Sequence, residues 1–138
     1  MGISTKNKSE IKRDDLIYPE LSYKVIGCAF DVYNVLGEGH HEKYYQRALA
    51  EALKEKKLKT IEQVYYPVVF NKKVVGKNFF DFLIDDKLIV EIKKGNNFSK
   101  KHIDQVLEYL KTSKIKLAIL INFGSTEVSF KRIINFDL

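Results

Sequence analysis

The chain has no tryptophan, one methionine, one cysteine and two prolines in 138 residues. A single cysteine excludes an internal disulfide framework. Its neighbours Val25, Ile26, Ala29 and Phe30 mark Cys28 as a small buried hydrophobe rather than a reactive thiol. That composition fits a reducing compartment, and a cytoplasmic location is expected. Long apolar runs are also missing. Stretches such as Leu117 to Ile121 fall far short of the roughly 20 residues that a membrane-spanning helix needs. The opening MGISTKNKSE has no apolar signal core, and Lys6 stands where a myristoylation signal wants Ser or Thr, so no membrane association is expected. Nor is there an acidic excess. A net charge of +6 suits a polyanionic partner, although a well-solvated, lysine-rich surface would carry the same charge.

What is present suffices for one core: 45% of residues are apolar and 12% aromatic. Residues 1–13 are polar, lysine-rich and aperiodic, which predicts a loose tail ahead of one domain over residues 14–138. No internal repeat or low-complexity segment interrupts it. After Tyr18-Pro19, apolar residues at Leu21, Val25, Cys28, Ala29, Val32 and Leu36 trace one helix face that ends at Gly37. A second helix, about His41 to Lys57, carries Tyr45, Ala48, Leu49, Ala52 and Leu53 on one stripe. β-Branched and aromatic residues then predict strands over Ile61–Phe70, with Pro67 at a bulge or edge, over Val74–Ile84, bent near Gly76, and over Leu88–Lys93. Ser99 caps a third helix to about Thr112, with a core stripe of Ile103, Val106, Leu107 and Leu110. Strands near Lys116–Phe123 and Val128–Ile133 follow. The order α-α-β-β-β-α-β-β predicts an α/β fold, a mixed sheet flanked by helices, with a parallel pairing across the third helix.

The chemistry concentrates in the hairpin on either side of Asp85-Asp86-Lys87. Residues two apart in a strand share a face, so Glu91 and Lys93 point together, opposite an apolar face of Leu88, Val90 and Ile92. On the preceding strand the same parity groups Phe80, Phe82 and Ile84 against Phe79, Asp81 and Leu83. A three-residue loop pairs Ile84 with Leu88 and hence Asp81 with Glu91, and it stacks the apolar faces; a two-residue loop would break that segregation. Side chains so paired stand about 5 Å apart at Cβ, near enough to share a cation. A cross-strand charge cluster is the competing reading. Glu42 lies on the apolar stripe of the second helix, where a carboxylate needs a partner, unless it serves only to cap the helix dipole. His40 and His41 lack ligand spacing and are expected at the surface.

The segment Gly39-His-His-Glu42-Lys-Tyr-Tyr45, followed by Gln46-Arg-Ala-Leu49, resembles the GxxExxY protein family, a group similar to the PD-(D/E)XK nuclease superfamily. The resemblance runs from about Leu21 through Leu-Ile-Asn-Phe-Gly at residues 120–124 to Lys131-Arg-Ile133. It implies a restriction-endonuclease-like core, with Asp81, Glu91 and Lys93 in the D…(D/E)xK signature and Glu42 as the first-helix glutamate. Gln105 and Tyr109 resemble the QxxxY motif of the RecB-like and phage-exonuclease branches, which implies substrate contact beside the active site; a helix-surface hydrogen bond with a half-buried tyrosine is the alternative. Phe79 falls where an arginine is common in the family, which removes a cation near the substrate.

By this resemblance the expected function is metal-dependent hydrolysis of nucleic-acid phosphodiesters, with DNA ahead of RNA as substrate. Asp81, Glu91, Glu42 and the Ile92 carbonyl would hold Mg²⁺ or Mn²⁺. Lys93 would orient the attacking water or stabilise phosphorane charge. The alternative is an inactive nucleic-acid-binding module of the same fold, or a homo-oligomer joined through its last strands.

Overall fold

A computed structural model of the protein describes residues 17–136, so the polar tail expected over residues 1–13 lies outside the described residues. Helix α1 (Pro19–Leu36) starts with proline at its first position, where the missing N–H costs nothing. It ends at Gly37, whose φ of 75° few other residues tolerate and whose N–H donates to the Tyr33 carbonyl. Helix α2 (Glu42–Glu55) follows, then strands β1 (Thr60–Phe70), β2 (Lys73–Ile84) and β3 (Leu88–Lys94), helix α3 (Lys100–Ser113), and strands β4 (Leu117–Phe123) and β5 (Val128–Ile134). The order matches that read from the sequence. Sheet order is β1-β2-β3-β4-β5, with β3 and β4 parallel and the other pairs antiparallel.

Two apolar layers sandwich the sheet. Helices α1 and α2 cover one face through Val25, Ala29, Leu49 and Leu53 against Phe82, Val90, Ile92 and Ile121. Helix α3 covers the other through Val106 and Leu110 against Phe80, Ile89, Ala118 and Leu120. Strands β3 and β4 therefore read as nearly continuous apolar runs, the pattern of strands buried on both faces. No helix among the described residues is long and apolar enough to cross a membrane.

Both turns of the β1–β2–β3 meander fix their register. Asn71 and Lys72 adopt left-handed φ values of 50° and 64° and join Phe70 to Lys73 in a tight hairpin. Pro67 sits on the edge strand β1, and the register shifts next to it, between Val68 and Val69. Across Asp85-Asp86-Lys87, Ile84 pairs with Leu88 as the three-residue loop requires, and Asp85 is tied back by its Oδ1 accepting the Lys59 N–H at 2.9 Å.

One expectation about β2 is corrected. Phe80 does not share a face with Phe82 and Ile84; it packs under α3, while they pack under α1 and α2. Strict alternation assumes an unbroken ladder. Here Gln63 takes φ 55°, Gln63 and Asp81 drop out of the β1–β2 pairing, and the parity flips between Phe80 and Phe82. Beyond that flip the β1–β2 arm exposes Val68, Val69, Phe70, Val74 and Val75.

Candidate active site

The flip at Asp81 coincides with a gap in the sheet. The β2–β3 ladder runs from Ile84↔Leu88 to Phe82↔Val90 and stops. At the next position side chains replace backbone pairing: the Asp81 N–H donates to Glu91 Oε1 at 2.9 Å, and the Ile92 N–H donates to Asp81 Oδ2 at 2.8 Å. The expected partners Asp81 and Glu91 do meet, but each carboxyl is wedged into the other strand's backbone. In a strand, the N–H and C=O of one residue face the same neighbour. The Ile92 carbonyl therefore opens toward β2, beside the two carboxyl groups.

Glu91 is only 7% exposed. Burial first, and then its hydrogen bond and charge contact with Asp81, push the Glu91 carboxyl up to about 9. Burial also raises Asp81, against the lowering effect of its hydrogen bonds to Glu91 and the Ile92 N–H. The pair thus holds a proton at neutral pH, as two carboxyl groups in contact must unless a cation separates them.

Lys93 shares the Glu91 face by strand parity. Its charge lowers the pKa of both carboxyl groups and of His102. Among the described residues Lys93 makes no ion pair within 4 Å, so its ammonium is available at the site. The parallel register sets Lys93 against Asn122, whose buried Oδ1 has no hydrogen-bond partner among the described residues. An unpaired buried acceptor costs about 1–3 kcal/mol, and such atoms cluster where a site awaits a ligand.

Glu42 reaches the site from the opposite helical layer. It is the first residue of α2, and its Oε1 accepts the Lys94 N–H at 3.0 Å, tying the helix start to the end of β3. Its charge acts on Asp81 and on His102. The residues around it explain the Gly39-x-x-Glu42-x-x-Tyr45 spacing. Gly39 takes φ 87°, a left-handed turn that favours glycine. Tyr45 is 1% exposed, stacks on Phe123 with ring centroids 4.4 Å apart, and donates its hydroxyl to the Gly37 carbonyl at 2.6 Å. It also accepts the His40 N–H at 3.3 Å. The hydroxyl thereby closes the α1–α2 loop just ahead of Glu42. Tyr45→Phe is expected to cost about 1–2 kcal/mol by leaving the Gly37 carbonyl unpaired, as measured by urea denaturation. An unchanged midpoint would show that this latch contributes nothing.

Sequence reasoning places His102 with Gln105 and Tyr109 on the flank of the α3 stripe and gives it no site role. Ser99 caps α3 by accepting the His102 N–H at 3.0 Å. That fixes His102 in the first turn, where side chains lean back toward the helix start. Its Nε2 lies 3.6 Å from Glu91 Oε2, beyond hydrogen-bond range, and is buried without a hydrogen-bond partner among the described residues. Burial, and then Lys93, keep the imidazole pKa below its usual value. The available signal was position: His102 and Gln105 are three apart on α3, which places them on neighbouring turns.

Tyr109 occupies different surroundings from the carboxyl pair. Tyr109 packs on Phe80 at 4.8 Å and Tyr66 at 5.1 Å, and neither Gln105 nor Tyr109 hydrogen-bonds Lys93. Half-exposed Phe79 packs on Tyr65 at 5.5 Å, on the arm beyond Asp81.

The donor set suits a hard divalent cation. Two adjacent carboxyl groups carrying a displaceable proton, a backbone carbonyl facing β2, and the orphaned His102 Nε2 and Asn122 Oδ1 on elements packed beside them make up that set. Among the described residues no three His, Cys, Asp or Glu side chains already stand at coordinating positions. A cation such as Mg²⁺ tolerates this, since it takes one or two carboxylates and keeps several waters.

Known proteins resemble this chain at the level of family and fold. No curated protein sequence matches the chain. Among solved structures, the crystal structure of SSO0001 is similar at 20% identity and a TM-score of 0.53 over 67% of this chain; the match covers 50% of that chain, so this protein spans about half its length. An alkaline exonuclease (LHK-Exo) from Laribacter hongkongensis is similar at 14% identity and a TM-score of 0.45, over 79% of this chain and 77% of that one. At such identities the likeness to SSO0001 is one of fold. The model of the PD-(D/E)XK nuclease superfamily, whose members generally use divalent metals, matches residues 19–133. That match runs from the first residue of α1 to the penultimate residue of β5 and so takes in the whole hairpin that holds Asp81 and Glu91; this chain belongs to the PD-(D/E)XK nuclease superfamily.

Proposed function

We propose that this protein hydrolyses phosphodiester bonds of nucleic acid, DNA in preference to RNA, with a divalent cation held by Asp81, Glu91, the Ile92 carbonyl and Glu42. The observation that carries it is the interrupted β2–β3 ladder, where buried Glu91 and half-buried Asp81 bring their carboxyl groups together beside an unpaired lysine. Mg²⁺ or Mn²⁺ bound there would polarise a phosphoryl oxygen and stabilise the charge that grows on it. Holding it would require Glu91 and Asp81 to release their shared proton to solvent. Lys93 orients the attacking water through its ammonium or stabilises phosphorane charge. Gln105 and Tyr109, both half-buried on α3, contact the phosphate backbone. The narrower likeness to GxxExxY proteins rests on Gly39, Glu42 and Tyr45, which act together to place one carboxylate.

The test is incubation of the purified protein with plasmid, linear and single-stranded DNA and with RNA, with Mg²⁺, with Mn²⁺ and with chelator. Cleavage of DNA that chelator abolishes is expected. Salt-dependent binding with no cleavage under any condition would replace this reading with a non-catalytic binding module.

A further inference from the structure

The buried, unpartnered Nε2 of His102 faces the carboxyl pair, and the fold holds it there from two sides. Ser99 pins the His102 backbone at the start of α3, and β3 presents Glu91 Oε2 at 3.6 Å. That separation is too wide for a hydrogen bond and close to the spacing of two ligands on one cation. Ligands about 2.1 Å from an octahedral ion stand about 3.0 Å apart at right angles, and about 3.4 Å apart in a tetrahedral set. A shift of a few tenths of an ångström closes the difference for this pair, and Asp81 must also move to join it, since no three such side chains stand at coordinating positions among the described residues. Glu91 Oε1 is already occupied by the Asp81 N–H, so Oε2, the oxygen nearest His102, is the one left to bind.

We propose that His102 Nε2 binds the same divalent cation as Asp81 and Glu91, which makes the site a mixed nitrogen and oxygen set that prefers Mn²⁺ or Co²⁺ to Mg²⁺. The inference rests on the metal site proposed above and goes beyond it in naming a nitrogen ligand and the cation class. Imidazole is a better ligand for the later divalent metals, whereas a wholly carboxylate and carbonyl set suits Mg²⁺ and Ca²⁺.

Calorimetric titration of the metal-free full chain with Mn²⁺ and with Mg²⁺ tests it, on wild type, His102→Gln and Glu91→Gln. Wild type is expected to bind Mn²⁺ at least about tenfold more tightly than Mg²⁺. His102→Gln is expected to lose about tenfold or more in Mn²⁺ affinity with little change for Mg²⁺. Pulsed electron paramagnetic resonance of wild type with Mn²⁺ is expected to show coupling to a nitrogen nucleus, a readout that needs no variant to fold. If Glu91→Gln loses Mn²⁺ while His102→Gln binds as wild type and no nitrogen coupling appears, the metal site stands and the role of His102 is overturned. Absence of Mn²⁺ binding by wild type overturns both.

Discussion

Glu91→Gln is expected to abolish cleavage, by about 10³-fold or more, while leaving the protein folded. The two effects separate because of how the carboxyl is held. In the metal-free protein Glu91 is buried, protonated and hydrogen-bonded to Asp81, with its Oε1 accepting the Asp81 N–H. Glutamine has nearly the same shape as that neutral acid. Its amide oxygen can accept the Asp81 N–H and its NH₂ can donate to the Asp81 carboxylate. What glutamine cannot do is become an anion, and a cation needs one. Asp81→Asn is expected to behave alike in activity but to be less tolerated, because the Ile92 N–H then faces an amide that must orient its oxygen correctly. Cleavage assays alongside circular dichroism check both, and activity retained by Glu91→Gln would show that the carboxylate does not take part.

The second large effect is a stability that falls as pH rises. The Glu91 carboxyl ordinarily titrates near 4.5, and burial with Asp81 alongside raises it to about 9 in the folded state. Between those values the native protein binds a proton that the unfolded chain has lost. Stability is therefore full below about pH 4.5 and declines toward pH 9, by at most about 1.4 kcal/mol per pH unit. Asp81, also raised, adds to the decline. His102, lowered, acts oppositely: its contribution is present above its unfolded value of 6.5 and fades as pH falls. The window from about 6.5 to 9 is thus where the carboxyl pair dominates. Urea titrations across that window are expected to show a fall in wild type and a flatter profile in Glu91→Gln. Added Mn²⁺ should oppose the fall, since cation affinity grows as the competing proton leaves. A flat wild-type profile would mean that the carboxyl pair carries no shared proton.

Much of this was legible in the sequence because strand parity and turn length are local. The spacing of Asp85-Asp86-Lys87 alone set Ile84 opposite Leu88, and that register brings Asp81 beside Glu91; the way each carboxyl bonds the other strand's backbone does not follow from it. Parity failed where the backbone stops being a regular strand. Nothing in Gln63 announces a left-handed φ, so the placement of Phe80 under α3 was out of reach. Glu42 was recognised as a carboxylate needing a partner, but its actual partner, the Lys94 N–H, is 52 residues away and only tertiary structure supplies it. The role of His102 was invisible for a related reason. Its meaning comes from an unpaired nitrogen 3.6 Å from Glu91, and sequence carries no record of what is left unpaired.

The most direct measurement is a crystal of the protein soaked in Mn²⁺, with anomalous scattering recorded at the manganese edge. One strong peak between Asp81 and Glu91, at about 2.1–2.2 Å from a carboxylate oxygen of each, is the expected result. A crystal soaked in saturating Mn²⁺ with no anomalous peak there, and the two carboxyl groups still hydrogen-bonded to one another, would contradict it.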